Sequence, residues 1–474
     1  MYLKYLVYFI LAVFFTACSN KFDLVNSHET KKYKVCQSDE ERNKCELCQN
    51  DKEKKKYELY QIYIDADGNL LSPKTGKIEA EVQEEAYIEN IYKNFKKMKE
   101  NNSDLTLTIF IHGGLNNFTS SINKVKTHTC KMLIDNKYPL FISWDSSSLS
   151  NYSDHLFLLR RGIKSETLGP ISSPFVLLED ILRAIIRIPV STYNVLFSQN
   201  TIFKSLSTEE EKDSEDKVKI LKEKTLVNVH DHLPSKGLSS SDWLTVWNPV
   251  KLITAPFVDA LGTGAWDSML RRTDLILKKD VSKNDFKATA VDKFFSEYGK
   301  ELGEINLIGH SMGAIVTNNI ISKYSEIKFK NIVHMAAASR LKDLELVIVP
   351  YLKENPRANF YNLSLSPYSD LSENFYLDFA PRGSLLVWID QTLGKVNSFS
   401  DRTAGYWFNI TRSAHKIFKD KDKDKDKDKN IQKRVHLTRF GLRDTSPQKH
   451  GDFSKCDFWN KDFWTAKIQC RKKE

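Results

Sequence analysis

The sequence predicts an α/β protein with a mostly parallel central sheet covered by helices on both faces, plus one long insertion. Three observations carry that expectation. Short apolar, β-rich runs alternate with segments of helical spacing. The run 105–111 stops abruptly at His112-Gly113-Gly114. The run 305–308 passes straight into Gly309-His310-Ser311-Met312-Gly313, and a helical pattern follows at once. Strands buried on both faces read as unbroken apolar runs, and their parallel pairing needs helical crossovers.

The elements follow in order. Residues 1–17 (MYLKYLVYFILAVFFTA) place Lys4 before an apolar run too short for a spanning helix, which suits an export signal. Residues 18–56 are polar and lysine-rich, and read as a tether with a cysteine cluster. A strand is expected at 57–66, closed by the turn Asp67-Gly68-Asn69, and a helix at 83–100. The strand 105–111, a helix at 117–135 and a strand at 138–144 continue the pattern. Residues 146–262 break it, and read as an insertion. Its apolar segment 174–197 carries Glu179, Asp180, Arg183 and Arg187, so a lid, a helix lying at a membrane surface or an extra packed layer fits better than a membrane span. Alternation resumes with helices at 265–279 and 289–301, the strand 305–308, a helix at 313–324, strands at 331–337 and 359–365, a helix at 382–394 and a last strand at 435–440. The Lys-Asp repeat 419–429 reads as a hydrated surface loop.

Composition narrows the classes. With 41% hydrophobic and 28% charged residues, a wholly disordered chain and a multi-span membrane protein are excluded. Seven cysteines in 474 residues exclude a small disulfide scaffold. The formal charge of +10 is a mild excess that suits an anionic surface; no dense basic patch with interleaved aromatics points to nucleic acid.

The chemistry is expected at strand ends. A glycine on each side of Ser311 permits a sharp strand-to-helix turn, since side chains there would collide with the neighbouring backbone. Such a turn exposes the hydroxyl and aims a helix N-terminus at the reacting centre. A serine hydroxyl needs a base, and the base needs an orienting carboxylate. Asp370 is the first carboxylate after the strand 359–365, with Glu373 and Asp378 as rivals and a helix N-cap as its plain structural role. His450 follows the last strand, whereas His436 lies within it and His415 precedes it.

Together, Gly309-His310-Ser311-Met312-Gly313 and His112-Gly113-Gly114 resemble the α/β-hydrolase superfamily, in particular its lipases and esterases. The resemblance covers about 105–145 and 264–460, and leaves out the tether and the insertion. It implies a triad of Ser311, Asp370 and His450 in that chain order, and an oxyanion hole made by the backbone N–H groups of Gly114 and Met312, with Leu115 as the fallback. It implies supporting roles for His112 and His310. His450-Gly451 resembles the family's step before a closing helix. Asp452 is expected only to decorate that loop, and Trp144-Asp145 to pack or to line an acyl pocket. Thr16-Ala17-Cys18 resembles the lipobox of bacterial lipoproteins, which implies lipidation of Cys18; an ordinary signal peptide or an uncleaved anchor is the alternative. Ser19 after that cysteine implies the outer membrane by analogy with lipoprotein sorting.

The expectation is therefore a lipid-anchored serine hydrolase that cleaves carboxylic esters, with lipid esters among the substrates, and needs neither metal nor organic cofactor. An acyltransferase with the same triad and a non-catalytic surface lipoprotein on the same scaffold are the rivals. Of the other cysteines, Cys45 and Cys48 form a CxxC with no partner motif for zinc. Cys36, Cys130, Cys456 and Cys470 complete an even set suited to disulfides, with Cys456 placed to pin the His450 loop to Cys470 or another partner.

Overall fold

Nine strands among the described residues form one sheet, and all but one pair in parallel. The structure is a computed structural model that describes residues 53–160, 163–193, 223, 227–230, 249–278, 287–373, 383–419, 431–441, 447–468 and 470. The export segment 1–17, Cys18, Cys36, Cys45, Cys48, Asp378 and residues 420–429 of the repeat lie outside them.

The first strand is shorter than the sequence suggests. Residues Glu53–Tyr60 form a 3-10 helix, and β1 is Gln61–Ile64. Tyr57 and Tyr60, three residues apart and both buried, turn to one side of that helix, and this spacing competes with strand alternation. The hairpin to β2 (Leu70–Leu71) is held by Asp65, whose Oδ1 accepts the N–H groups of Asp67 and Asn69, with Gly68 at φ +90°. Helix α1 (Glu81–Asn101) leads to β3 (Thr106–Ile111), and α2 (Phe118–Ile134) to β4 (Lys137–Trp144).

The expected insertion 146–262 is not one separate block. Its first part holds α3 (Ser148–Phe157), a small hairpin of β5 (Leu159–Arg160) and β6 (Ile163–Lys164), α4 (Leu168–Ile186) and α5 (Ile188–Tyr193). Then β7 (Asn228–His230) joins the main sheet as its edge, parallel to β11 (Val435–Phe440). One helix, α6 (Pro249–Asp274), crosses the expected boundary at 262 and packs against α3, α4 and α5. Its Pro256, Gly262 and Gly264 read as breakers in a sequence, but close packing selects the two glycines here. A Cβ on Gly264 would stand 2.6 Å from the His155 ring of α3. Hydrogen bonds and ion pairs on buried groups fasten this layer. Asp180 of α4 accepts from Tyr152 and His155, Asp259 of α6 accepts from Arg187 and Ser191, and Arg272 binds Asp145 and Asp154. The opposite side of α4 turns Leu168, Ile171, Phe175, Leu178, Leu182 and Ile185 to solvent. No described helix is long and apolar enough to cross a membrane.

The second half follows the expected alternation closely. It contains α7 (Ala290–Tyr298), β8 (Ile305–His310), α8 (Gly313–Lys323), β9 (Phe329–Met335), β10 (Asn359–Leu365) and β11. The helical stretches not expected include 341–354, which has a π-helical turn, Pro367–Ser372 and α9 (Trp407–Ile417).

The sheet order is β2-β1-β4-β3-β8-β9-β10-β11-β7. From β3 the chain steps to β4 on one side, beside the earlier β1, and then returns to β8 on the other side of β3 and continues outward through β9, β10 and β11. Between β3 and β8 the direction of winding reverses, with Ile109 opposite Leu307 in register. A crevice at the carboxyl ends of two such strands is where α/β sheets place ligands. Ile109, Ile111, Leu307, Ile308 and Val333 are fully buried in this centre, each contributing about 1.5–3 kcal/mol by removal from water.

Candidate functional site

The loops after β3 and β8 meet at that reversal. The chain leaves β8 at His310 and turns at Ser311, whose φ of +54° is rare for a residue with a Cβ. Such a conformation costs about 1–3 kcal/mol and persists only where its surroundings hold it. Here the Ser311 N–H donates to Met335 O at 2.8 Å, and Ser311 O accepts from Ala314 N–H and Ala338 N–H. The two flanking glycines are needed for space. A Cβ on Gly309 would lie 2.7 Å from the Gly313 carbonyl, and one on Gly313 would lie 2.2 Å from Ile111 O.

His450 follows β11, three strands along the sheet from β8. It opens the short 3-10 helix His450–Lys455 after β11, and its Nε2 lies 2.8 Å from Ser311 Oγ. Both side chains are buried, Ser311 at 2% and His450 at 8% exposure. Burial lowers the His450 pKa from its ordinary value to about 4, so at neutral pH the imidazole is uncharged and can accept the serine proton. The main chain of His450 is gripped at both ends. Its N–H donates to Glu373 Oε2 at 3.0 Å, and its carbonyl accepts from His310 Nε2 at 2.9 Å. Burial holds His310 neutral, so its Nε2 carries the proton in that bond.

The third expected residue does not complete the chain of bonds. Asp370 is fully buried in the helix Pro367–Ser372 after β10; it is not the N-cap, which is Ser366. Neither Asp370 carboxyl oxygen has a hydrogen-bond partner among the described residues, and neither does His450 Nδ1. Desolvation pushes the Asp370 carboxyl well above the ordinary carboxylate range, and the charges of Glu373 and Asp390 add to this. The Ser384 hydroxyl works in the other direction, although it falls short of hydrogen-bond geometry. Glu373 thus acts on both groups: it bonds to the His450 main chain and disfavours charge on Asp370.

The loop after β3 supplies the other half of the site. Gly113 and Gly114 press on the serine turn. A Cβ on Gly113 would meet Ser311 Cβ at 2.6 Å, and one on Gly114 would meet Met312 Sδ at 2.9 Å. Among the described residues, the N–H groups of Gly114 and Met312 donate to no acceptor, whereas the Leu115 N–H is committed to Ser146 O at 2.8 Å. Of the expected donors, Gly114 and Met312 are therefore free to bind an anion, and Leu115 is not. His112 holds this loop through both ring nitrogens. Nδ1 donates to Gly113 O at 2.7 Å, and Nε2 accepts from Trp144 N–H at 3.0 Å. Trp144 is buried and stacks on His112, and Met269 of α6 reaches the same wall near Gly114.

The remaining candidates have other roles. His436 stacks on Tyr361 and hydrogen-bonds His230, and His415 is exposed on α9. Asp452 caps the 3-10 helix of His450 by accepting from Lys449 N–H. Among the described residues no long closing helix follows; the chain makes one turn at Lys461–Trp464, and Cys456 is bonded to Cys470. Cys130 is also disulfide-bonded. No group of His, Cys, Asp and Glu among the described residues is arranged to hold a metal ion. In the sequence Glu373 stands only as a rival acid and His310 only as structural support, with no sign that they grip one residue from two sides. Compared with protein-family models, with curated proteins and with solved structures, the chain matches none.

Proposed function

We propose that this protein is a serine hydrolase of α/β-hydrolase type that cleaves carboxylic esters. One observation carries the reading: His450 Nε2 stands 2.8 Å from the hydroxyl of a serine held at positive φ. The uncommitted Gly114 and Met312 amides beside it support the same reading. Ser311 Oγ attacks the acyl carbon while its proton passes to His450 Nε2. The carbonyl oxygen becomes an oxyanion and takes the two amide donors, each contributing about 3 kcal/mol to lowering the barrier. As the tetrahedral centre collapses, the ester C–O bond breaks and the leaving alcohol takes the proton back from Nε2. Water then repeats the sequence on the acyl-enzyme and frees the acid.

Asp370 is the carboxylate we assign to His450 Nδ1. Both groups are buried and unpaired, and both lie around Glu373. The bond between them forms with the imidazolium, whose charged Nδ1–H is a stronger donor to the Asp370 carboxyl than the neutral ring is. Export and lipidation at Cys18 belong to the same proposal and would hold the enzyme at a bacterial membrane, the outer one by the Ser19 analogy, close to lipid esters. The test is hydrolysis of a short-chain aryl ester by the purified protein. Wild type should turn over and Ser311→Ala should fall to the uncatalysed rate; equal rates for the two would end the proposal. Added alcohol tests acyl transfer, because a transferase would yield the new ester in place of the free acid.

A further inference from the structure

The geometry points to Glu373 and His310 as a two-sided clamp on the main chain of His450, with Glu373 as the positioning residue that sets the base against Ser311. The inference rests on the hydrolase reading and adds a role to it.

A histidine in a catalytic pair is usually steered through its ring. Here the ring nitrogen that faces away from Ser311 has no partner among the described residues, so the ring gains no orientation from it. The steering comes through the backbone. Glu373 Oε2 takes the N–H at 3.0 Å across 77 residues, and His310 Nε2–H holds the carbonyl at 2.9 Å across 140 residues. Both donor-acceptor pairs are buried, so neither has water to exchange with. A carboxylate accepting a backbone N–H in such surroundings makes a bond about twice as strong as a neutral pair.

The two grips start from different strands. His310 ends β8 and directly precedes Ser311, so its bond ties the base to the nucleophile's own turn. Glu373 follows the helix after β10, and so ties the base to the neighbouring strand's loop. The 3-10 segment His450–Lys455 is short, and the disulfide Cys456–Cys470 fixes only its far end. Without Glu373, the His450 main chain keeps only the His310 bond, while the Asp452 cap stays within its own segment, so the base can shift against Ser311. Displacement of a reacting group by about 1 Å costs on the order of 100-fold in rate.

The test compares wild type, Glu373→Gln and Glu373→Ala by the second-order rate of labelling with a fluorophosphonate, alongside ester kinetics and thermal unfolding. Gln keeps an acceptor oxygen at the same place. The clamp predicts that Glu373→Ala labels about 100-fold more slowly, through kcat with KM little changed, and that Glu373→Gln recovers to within about tenfold of wild type. If Glu373→Ala labels at the wild-type rate, or if Gln and Ala lose the same activity, the clamp is wrong and the hydrolase reading stands. If the folded wild type fails to label at all, the hydrolase reading falls and takes the clamp with it.

Discussion

Replacing Gly313 by alanine sets two physical effects against each other. Gly313 is the first residue of α8. By helix propensity alone, alanine should stabilise the protein by about 1 kcal/mol. The structure predicts the opposite sign. The new Cβ would sit 2.2 Å from Ile111 O, 2.8 Å from Ile111 C and 3.0 Å from His112 O. All three are backbone atoms, so no side chain can rotate away. An ordinary contact requires β3 and α8 to separate by roughly 1 Å, and forced overpacking of this kind costs about 1–3 kcal/mol or more. A 2.2 Å contact with backbone belongs at the upper end of that range, so the clash outweighs the propensity gain and leaves a net loss of about 2 kcal/mol. The same separation moves the Gly114 amide away from the Met312 amide, so ester turnover should fall by about 100-fold, beyond any loss of folded protein. Urea unfolding gives the first quantity and kcat/KM the second. Gly451→Ala is the control, because a Cβ there meets nothing within 4 Å. A Gly313→Ala protein as stable and active as wild type would refute the packing argument at the serine turn.

Acid should weaken the fold and the site at different pH. Burial lowers the pKa of His112, His128 and His334 to about 3 and of His436 and His450 to about 4, so these rings are neutral when folded and take protons first when unfolded. Stability is full above the unfolded value near 6.5 and falls below it by about 1.4 kcal/mol per pH unit per ring. Asp390, raised to about 6, and Asp370, also raised by burial, oppose this but are fewer. Urea midpoints should therefore drop between pH 7.5 and 5.5, and a midpoint that rises would contradict the burial of these rings. In brief assays on still-folded protein, kcat/KM should hold down to about pH 5; a fall centred near 6.5 would place His450 in water. Arg272→Met should cost about 2–4 kcal/mol in chemical denaturation, since it leaves Asp145 and Asp154 facing each other without their cation. An unchanged midpoint would show that α6 is not fastened through this residue.

The sequence made the sheet's second half legible because its strands are short apolar runs with clear ends. The expected strands 359–365 and 435–440 coincide with β10 and β11. Ser311, the two glycines around it and the His112-Gly113-Gly114 step were legible because each needs a particular residue at a tight backbone approach. Helix α6 was half missed because Pro256, Gly262 and Gly264 argue locally against a helix that tertiary packing selects. Strand β7 has three residues, too few for any alternation to register. The clamp on His450 was illegible for a different reason. Its bonds use backbone atoms 77 and 140 residues away from the side chains that hold them, and such bonds leave no pattern in a linear sequence.

The most direct measurement is peptide mapping of the protein after reaction with a fluorophosphonate. The account predicts one adduct, on Ser311, absent from Ser311→Ala and slowed by several orders of magnitude in His450→Ala. No adduct on a folded wild-type protein, or labelling of Ser311 that proceeds unchanged without His450, would contradict it.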